Sequence, residues 1–141
     1  MRSTSADSDL APRLRLAITR AARRLRQEAG SSLSPSQGAA LATIDRHGPL
    51  TPSEVATRER IQRPTATRVI ARLEESGLVV RAADPADRRS SLVSHSPAGA
   101  ALLDEVRTRK DAFLSQRLEA LGREDRATLE RAAELLEDLL A

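Results

Sequence analysis

The stretch Thr51 to Ser94, TPSEVATRERIQRPTATRVIARLEESGLVVRAADPADRRSSLVS, constrains the fold most, because two short helical patterns run directly into two strand-like pieces joined by a charged turn. Its first helix opens with Thr51-Pro52-Ser53-Glu54, a capping box with proline at the first helical position, so the amides that start the helix have partners. Val55 and Ala56 give it an inward face. After a break at Ile61 and Gln62 a second helix carries Ala66, Val69, Ile70 and Leu73 at helical spacing on one side. Thr65, Thr67, Arg68 and Arg72 occupy the other. Two consecutive short helices, the second with a polar and cationic outer face, are the makings of a module that reads DNA.

The second of these helices should end near Gly77. Leu78 to Arg81 then reads as a strand, Ser91 to Ser94 as its partner, and Ala82 to Ser90, with its Asp84-Pro85 turn, as the long charged tip of a hairpin. Upstream, residues 1-8 have no periodicity and are expected to form a disordered tail. A helix follows from near Asp9, with Leu10, Leu14, Ile18, Ala21 and Leu25 on one stripe, and ends by Gly30. Ser34-Pro35-Ser36-Gln37 is a second capping box, and the helix it opens points Leu41 and Ile44 inward before Gly48 and Pro49 stop it. Downstream, Ser96 can cap and Pro97 can begin a long helix whose apolar side is Leu102, Val106, Phe113, Leu114, Leu118 and Leu121. Beyond Gly122 a last helix carries Leu129, Ala132, Ala133, Leu136, Leu139 and Leu140. The fold class is mainly α with a small β-hairpin.

Composition narrows the chemistry. The 141 residues suit one domain, and 40% hydrophobic with 1% aromatic residues means a core of aliphatic stripes. The absence of cysteine excludes disulfides, thiolate metal sites and thiol catalysis or redox sensing. No apolar run is long enough to span a bilayer and the start lacks a signal-peptide stretch, so a cytoplasmic protein without membrane contact is expected. The only histidines, His47 beside a turn glycine and His95 at a strand end, fit no catalytic or metal-binding spacing, and no glycine-rich phosphate loop is present. Neither an enzyme nor a cofactor is indicated.

The net charge of +3 is unevenly spread: residues 1-30 carry seven arginines against three acidic groups, whereas residues 97-141 carry seven basic against ten acidic. One side of the molecule can thus face a polyanion. Arginine in place of lysine suits phosphate and guanine edges, although a G- and C-rich genome would leave the same bias. The first and last two helices also offer more apolar stripe than a chain of this size can cover alone. A second copy would cover Leu10, Leu14, Leu118, Leu136 and Leu140, in a homodimer whose two-fold axis matches a two-fold DNA site. Alternatively, these leucines close the core of a single chain.

The segment RPTATRVIARLEESGLVVR and the hairpin DPADRRSSLVS, with D-x-x-D-R-R followed by a strand and S-P-x-G, resemble the MarR family of bacterial transcription regulators over nearly the whole chain. The resemblance implies a winged helix-turn-helix between terminal dimerisation helices: residues 34-96 for double-stranded DNA, residues 9-33 and 97-141 for the dimer. It further implies a palindromic operator, usually repressed, and in many members release by a small, often aromatic, ligand entering a cleft between the two parts. For this chain such a cleft would be lined by the first, second and fifth helices.

On physical grounds the fourth helix would lie in the major groove, with Thr65, Thr67 and Arg68 at base edges and Arg63 and Arg72 on phosphates. A surface pair with Glu75 would equally account for Arg72. Thr51 and Ser53 could add phosphate contacts at a helix N-terminus, or serve only as caps. At the hairpin tip the resemblance implies that Arg89 enters the minor groove, braced by Asp87, with Arg88 on a phosphate. Arg63 stands where a helix cap is expected, so the fourth helix begins at either Arg63 or Pro64.

Overall fold

The computed structural model describes residues 4–141, in the order α1 (Thr4–Ala29), α2 (Pro35–His47), α3 (Pro52–Glu59), α4 (Arg63–Glu75), β1 (Val79–Ala83), β2 (Ser91–His95), α5 (Pro97–Glu119) and α6 (Arg123–Leu140). The expected class, mainly α with a β-hairpin wing, is the observed one. The disordered tail expected through Ser8 is not seen as such: α1 is already helical from Thr4, while residues 1–3 lie outside the described residues. Nothing in residues 4–11 interrupts a helix, and Pro12, which would have stood in the first turn of a helix begun at Asp9, lies inside α1.

The capping box is complete at α2 and half made at α3. Ser34 Oγ accepts the Gln37 amide at 3.2 Å and Gln37 Oε1 accepts the Ser34 amide at 2.9 Å, closing the box at α2. At α3, Thr51 Oγ1 accepts the Glu54 amide at 3.2 Å. For α4 the start is the first of the two candidates: the helix begins at Arg63, and the cap is Gln62, not Arg63, extended at φ −68° and ψ 145°. Gln62 is also the first to accept a helical bond, from the Ala66 amide at 3.0 Å, which moves the cap one residue upstream of the expected Arg63.

The core lies in the middle of the chain. Leu41 and Ile44 of α2, Val55 of α3, and Ile70 and Leu73 of α4 meet Val79 and Val93 of the hairpin, all essentially inaccessible to solvent. Each such side chain contributes about 1.5–3 kcal/mol by leaving water. The long helix α5 reaches this core through Leu103, not through the expected neighbour Leu102, which is only half-buried. Leu103 was hidden because α5 packs on two sides, with Leu103 toward the core and other apolar residues toward α1, so no single stripe marks it.

The hairpin pairs antiparallel, Val79 opposite His95 and Ala83 opposite Ser91, so its strands run beyond the expected ends at Arg81 and Ser94. Backbone pairing carries them on where side-chain type gave no sign. Leu50 and Val93 exchange bonds of 3.0 and 2.7 Å that pin the hairpin to the segment before α3. Its base is locked by Ser96, which is buried. The Ser96 hydroxyl donates to the Gly77 carbonyl at 2.6 Å and accepts the Gly99 amide at 3.0 Å. Gly77 turns the chain at φ +74°, and a Cβ at Gly99 would lie 2.1 Å from the Leu78 carbonyl oxygen, so only glycine allows α5 to start this close.

At the α1–α5 contact Arg109 Nη1 donates to the Ala29 carbonyl at 2.9 Å, placing a cation at the C-terminus of α1. Beyond it α6 extends with no fully buried residue. No helix among the described residues is long and apolar enough to cross a membrane.

Candidate nucleic-acid interface

The turn between α3 and α4 depends on Arg60, held left-handed at φ 54° and ψ 43°, which for a side chain other than glycine costs on the order of 1–3 kcal/mol. The Ile61 amide then reaches back to the Ala56 carbonyl at 3.0 Å, and α4 sets off from Gln62 with its apolar face on the core. With Ala66, Val69, Ile70 and Leu73 all buried, the opposite face has to point outward.

On that face Thr67, Arg68 and Arg72 are exposed and Thr65 is half-buried. Thr67 Oγ1 donates its proton to the Arg63 carbonyl at 3.0 Å and keeps lone pairs for an incoming donor. Arg68 Nη2 approaches Thr65 Oγ1 at 3.5 Å, a contact too long to hold the guanidinium firmly. Gln62 supplies no side-chain cap, so the amides of the first turn of α4 have no side-chain partner. Among the described residues Arg63, Arg68 and Arg72 form no ion pair. The alternative pair of Arg72 with Glu75 is not made, and the glutamate engaged is Glu74, whose Oε2 accepts Arg81 Nε at 3.0 Å. Thr51 already accepts an amide as the α3 cap, which leaves its hydroxyl proton to donate, and Ser53 is exposed beside it.

The Arg81–Glu74 bond also joins β1 to the end of α4, and Arg81 Nη1 reaches Ser91 Oγ at 3.4 Å across the strands. Helix and wing are therefore held as one unit. In the tip, Asp84 Oδ1 accepts the Ala86 amide and Asp87 Oδ1 accepts the Arg89 amide, both at 2.9 Å. The aspartates shape the loop through its backbone, and Asp87 meets the main chain of Arg89. Both arginine side chains, Arg88 and Arg89, are exposed and form no ion pair among the described residues.

The leucines assigned to a dimer interface lie on the other half of the molecule. Leu10 is 57% exposed and Leu140 70%, while Leu14, Leu118 and Leu136 are half-buried. Leu135 and Leu139 extend the same open surface. The sole aromatic side chain, Phe113, has the guanidinium groups of Arg24 and Arg117 over its ring, their carbons 5.4 and 5.1 Å from its centre.

Between α1, α2 and α5 runs a cleft of about 820 Å³, lined by aliphatic side chains including Leu25, Leu33, Leu103 and Val106, and by Arg23, Arg26, Arg107 and Lys110. Arg107 also pairs with Asp45 of α2 at 3.4 Å, and the other oxygen of Asp45 lies 3.5 Å from Nδ1 of His95, the last residue of β2. His95, expected only at a strand end, thus has a carboxylate neighbour. The members of this cluster are far apart in the chain and follow no local spacing, so no sequence signal marks it.

The family model described as MarR family matches residues 33–91. The chain is 43% identical to an HTH-type transcriptional regulator of Mycobacterium tuberculosis over 131 residues, which is 92% of each protein. It is 30% identical over 93 residues to the HTH-type transcriptional repressor MdtR of Bacillus subtilis, 66% of this chain and 60% of that one. Among solved structures, a putative transcriptional regulator of Pseudomonas aeruginosa superposes with a TM-score of 0.87 at 37% identity, covering 97% of both chains.

Proposed function

The chain belongs to the MarR family of DNA-binding HTH-type transcriptional regulators, not to an enzyme family, and from that premise we propose that it acts as a homodimeric repressor of a palindromic operator. The observation that carries this reading is the outward face of α4, where polar and cationic side chains that form no ion pair among the described residues stand on a helix fixed to its wing by Arg81 and Glu74.

In this reading α4 enters the major groove. Arg68 donates to a guanine edge, and Thr65 and Thr67 take up neighbouring base edges. Arg63 and Arg72 hold the phosphates on either side, Arg88 another at the wing, and Thr51 and Ser53 a further one at the start of α3. Arg89 enters the minor groove from a tip whose backbone Asp87 holds in shape. Residues 34–96 then form the DNA-binding part. Residues 9–33 and 97–141 dimerise through Leu10, Leu14, Leu118, Leu136 and Leu140, which sets the spacing between the two copies of α4. A small ligand in the cleft between α1, α2 and α5 relieves repression. The protein works in the cytoplasm, where its DNA is. Repression, rather than activation, is favoured by the resemblance to MdtR, which is named a repressor.

The competing reading is an architectural binder that contacts phosphates without choosing sequence. Titrating the protein with the DNA upstream of its own gene and with a scrambled duplex, at matched salt, separates the two. The proposal expects about 10³-fold or greater preference for the upstream DNA. Equal affinities would leave only the architectural binder.

A further inference from the structure

Among the described residues the cleft is lined by aliphatic surface and four cations, with no acidic residue. Arg23, Arg26 and Lys110 form no ion pair among the described residues. Arg107 is engaged only loosely, with Nη1 and Nη2 both 3.4 Å from the same Asp45 oxygen, whereas a firm charge-assisted bond is about 2.7–2.9 Å long. The pair is also open to water, with 47% of the Arg107 side chain and 25% of Asp45 exposed, so it is weak and replaceable. Among the described residues, Asp45 is the one acid that a ligand carboxylate reaching Arg107 from the cleft would have to displace.

The body of the ligand follows from what the walls lack. Phe113, the one aromatic residue, is not in the lining and is occupied by Arg24 and Arg117. A second copy could bring only another Phe113, so a flat aromatic ring meets no aromatic partner in the walls and has only guanidinium groups to stack on. Leucine, valine and alanine side chains instead suit a flexible alkyl chain, and about 820 Å³ is ample for one.

We infer that the cleft takes an aliphatic carboxylate, its chain against Leu25, Leu33, Leu103 and Val106 and its head on Arg107 in competition with Asp45. As regulation this rests on the ligand-relieved repressor proposed above; as binding it does not. Asp45 is the link between the two. Once Arg107 turns to the ligand, Asp45 retains only His95 at the end of β2, and the side-chain bridge from α5 through Asp45 to the wing is broken while the Ser96 contacts remain. Cleft and wing are thus separated by three side chains.

The test is calorimetric titration of the full chain with decanoate, 1-decanol and benzoate, on the unaltered protein and on Arg107→Gln and Asp45→Asn. Decanoate is expected to bind saturably below about 1 mM, with decanol and benzoate each about tenfold weaker. Arg107→Gln should lower decanoate affinity about tenfold and leave decanol unchanged. Asp45→Asn, which removes the competing charge and with it the charge facing His95, should raise decanoate affinity several-fold, an increase that damage to the fold would not produce. Decanol binding as tightly as decanoate, benzoate binding more tightly, or an Asp45→Asn chain with unimproved affinity would each overturn the assignment. The DNA-based reading fails separately: decanoate that binds but leaves promoter DNA bound supports the cleft assignment and refutes relief of repression. A chain that selects promoter DNA yet ignores decanoate overturns the cleft assignment alone.

Discussion

The segment from α2 to β2 and the terminal helices α1 and α6 are written with the same helical periodicity of aliphatic residues, yet they end in opposite conditions. In the first, Leu41, Ile44, Val55, Ile70 and Leu73 are buried against one another and against the hairpin. In the second, Leu10, Leu135, Leu139 and Leu140 stay 51–70% exposed on the described chain, and α6 buries nothing fully. Periodicity therefore tells which face of a helix is apolar and not what covers it. The closed region has its cover in the chain itself; the open region is where a second copy is proposed to lie.

The contrast can be broken first at its closed side. Leu73→Ala removes a side chain with no accessible surface in the middle of the core, and urea unfolding should show about 2–5 kcal/mol lost. A loss below about 1 kcal/mol would mean that the core is looser than its burial implies. On the open side, Leu136→Glu should leave the helical content measured by circular dichroism intact while weakening self-association by about 2 kcal/mol or more, read by sedimentation at graded concentrations. If that variant unfolds at all concentrations instead, α6 belongs to the chain's own core and the contrast is false.

The contrast also explains what could be read ahead of the structure. Caps and turns were legible because their chemistry is local: Ser34 with Gln37, Thr51 with Glu54, and Ser96 before Pro97 each act within one helical turn. The buried face of α4 was legible because a single stripe meets a single core. Leu103 was not, because α5 serves two neighbours. The start of α1 was missed because small polar residues are compatible with either a tail or a first turn. Within the site, the outward placement of Arg68 and Arg72 followed from the stripe opposite them. The cluster of Asp45, His95 and Arg107 could not be foreseen, since each pair joins different elements.

Smaller effects sharpen the division of labour on the closed side. Arg68→Ala should cost about 1–3 kcal/mol at one base position of each half-site and flatten the preference there, as measured on a set of single-position operator variants. Arg72→Ala should weaken all of those duplexes alike and reduce the slope of affinity against salt by about one counterion. Unchanged discrimination in Arg68→Ala would remove the base-reading role from that residue. The smallest effect belongs to the surface of α6, where Arg131 and Glu134 pair at 2.8 Å with both side chains about two-thirds exposed. Arg131→Ala should change stability by less than about 1 kcal/mol in thermal melting. A larger loss would show that this face is covered in the assembled protein.

The central claim is that two copies, joined through the open ends, place two copies of α4 on one DNA site. Sedimentation of the protein with the DNA segment it protects from nuclease, at saturating protein and with the mass of the complex determined directly, tests it in one step. The account predicts two chains on each protected segment, and a sharp loss of affinity when the segment is cut to a single half-site. One chain per segment, with the half-site bound as tightly as the whole, would contradict it.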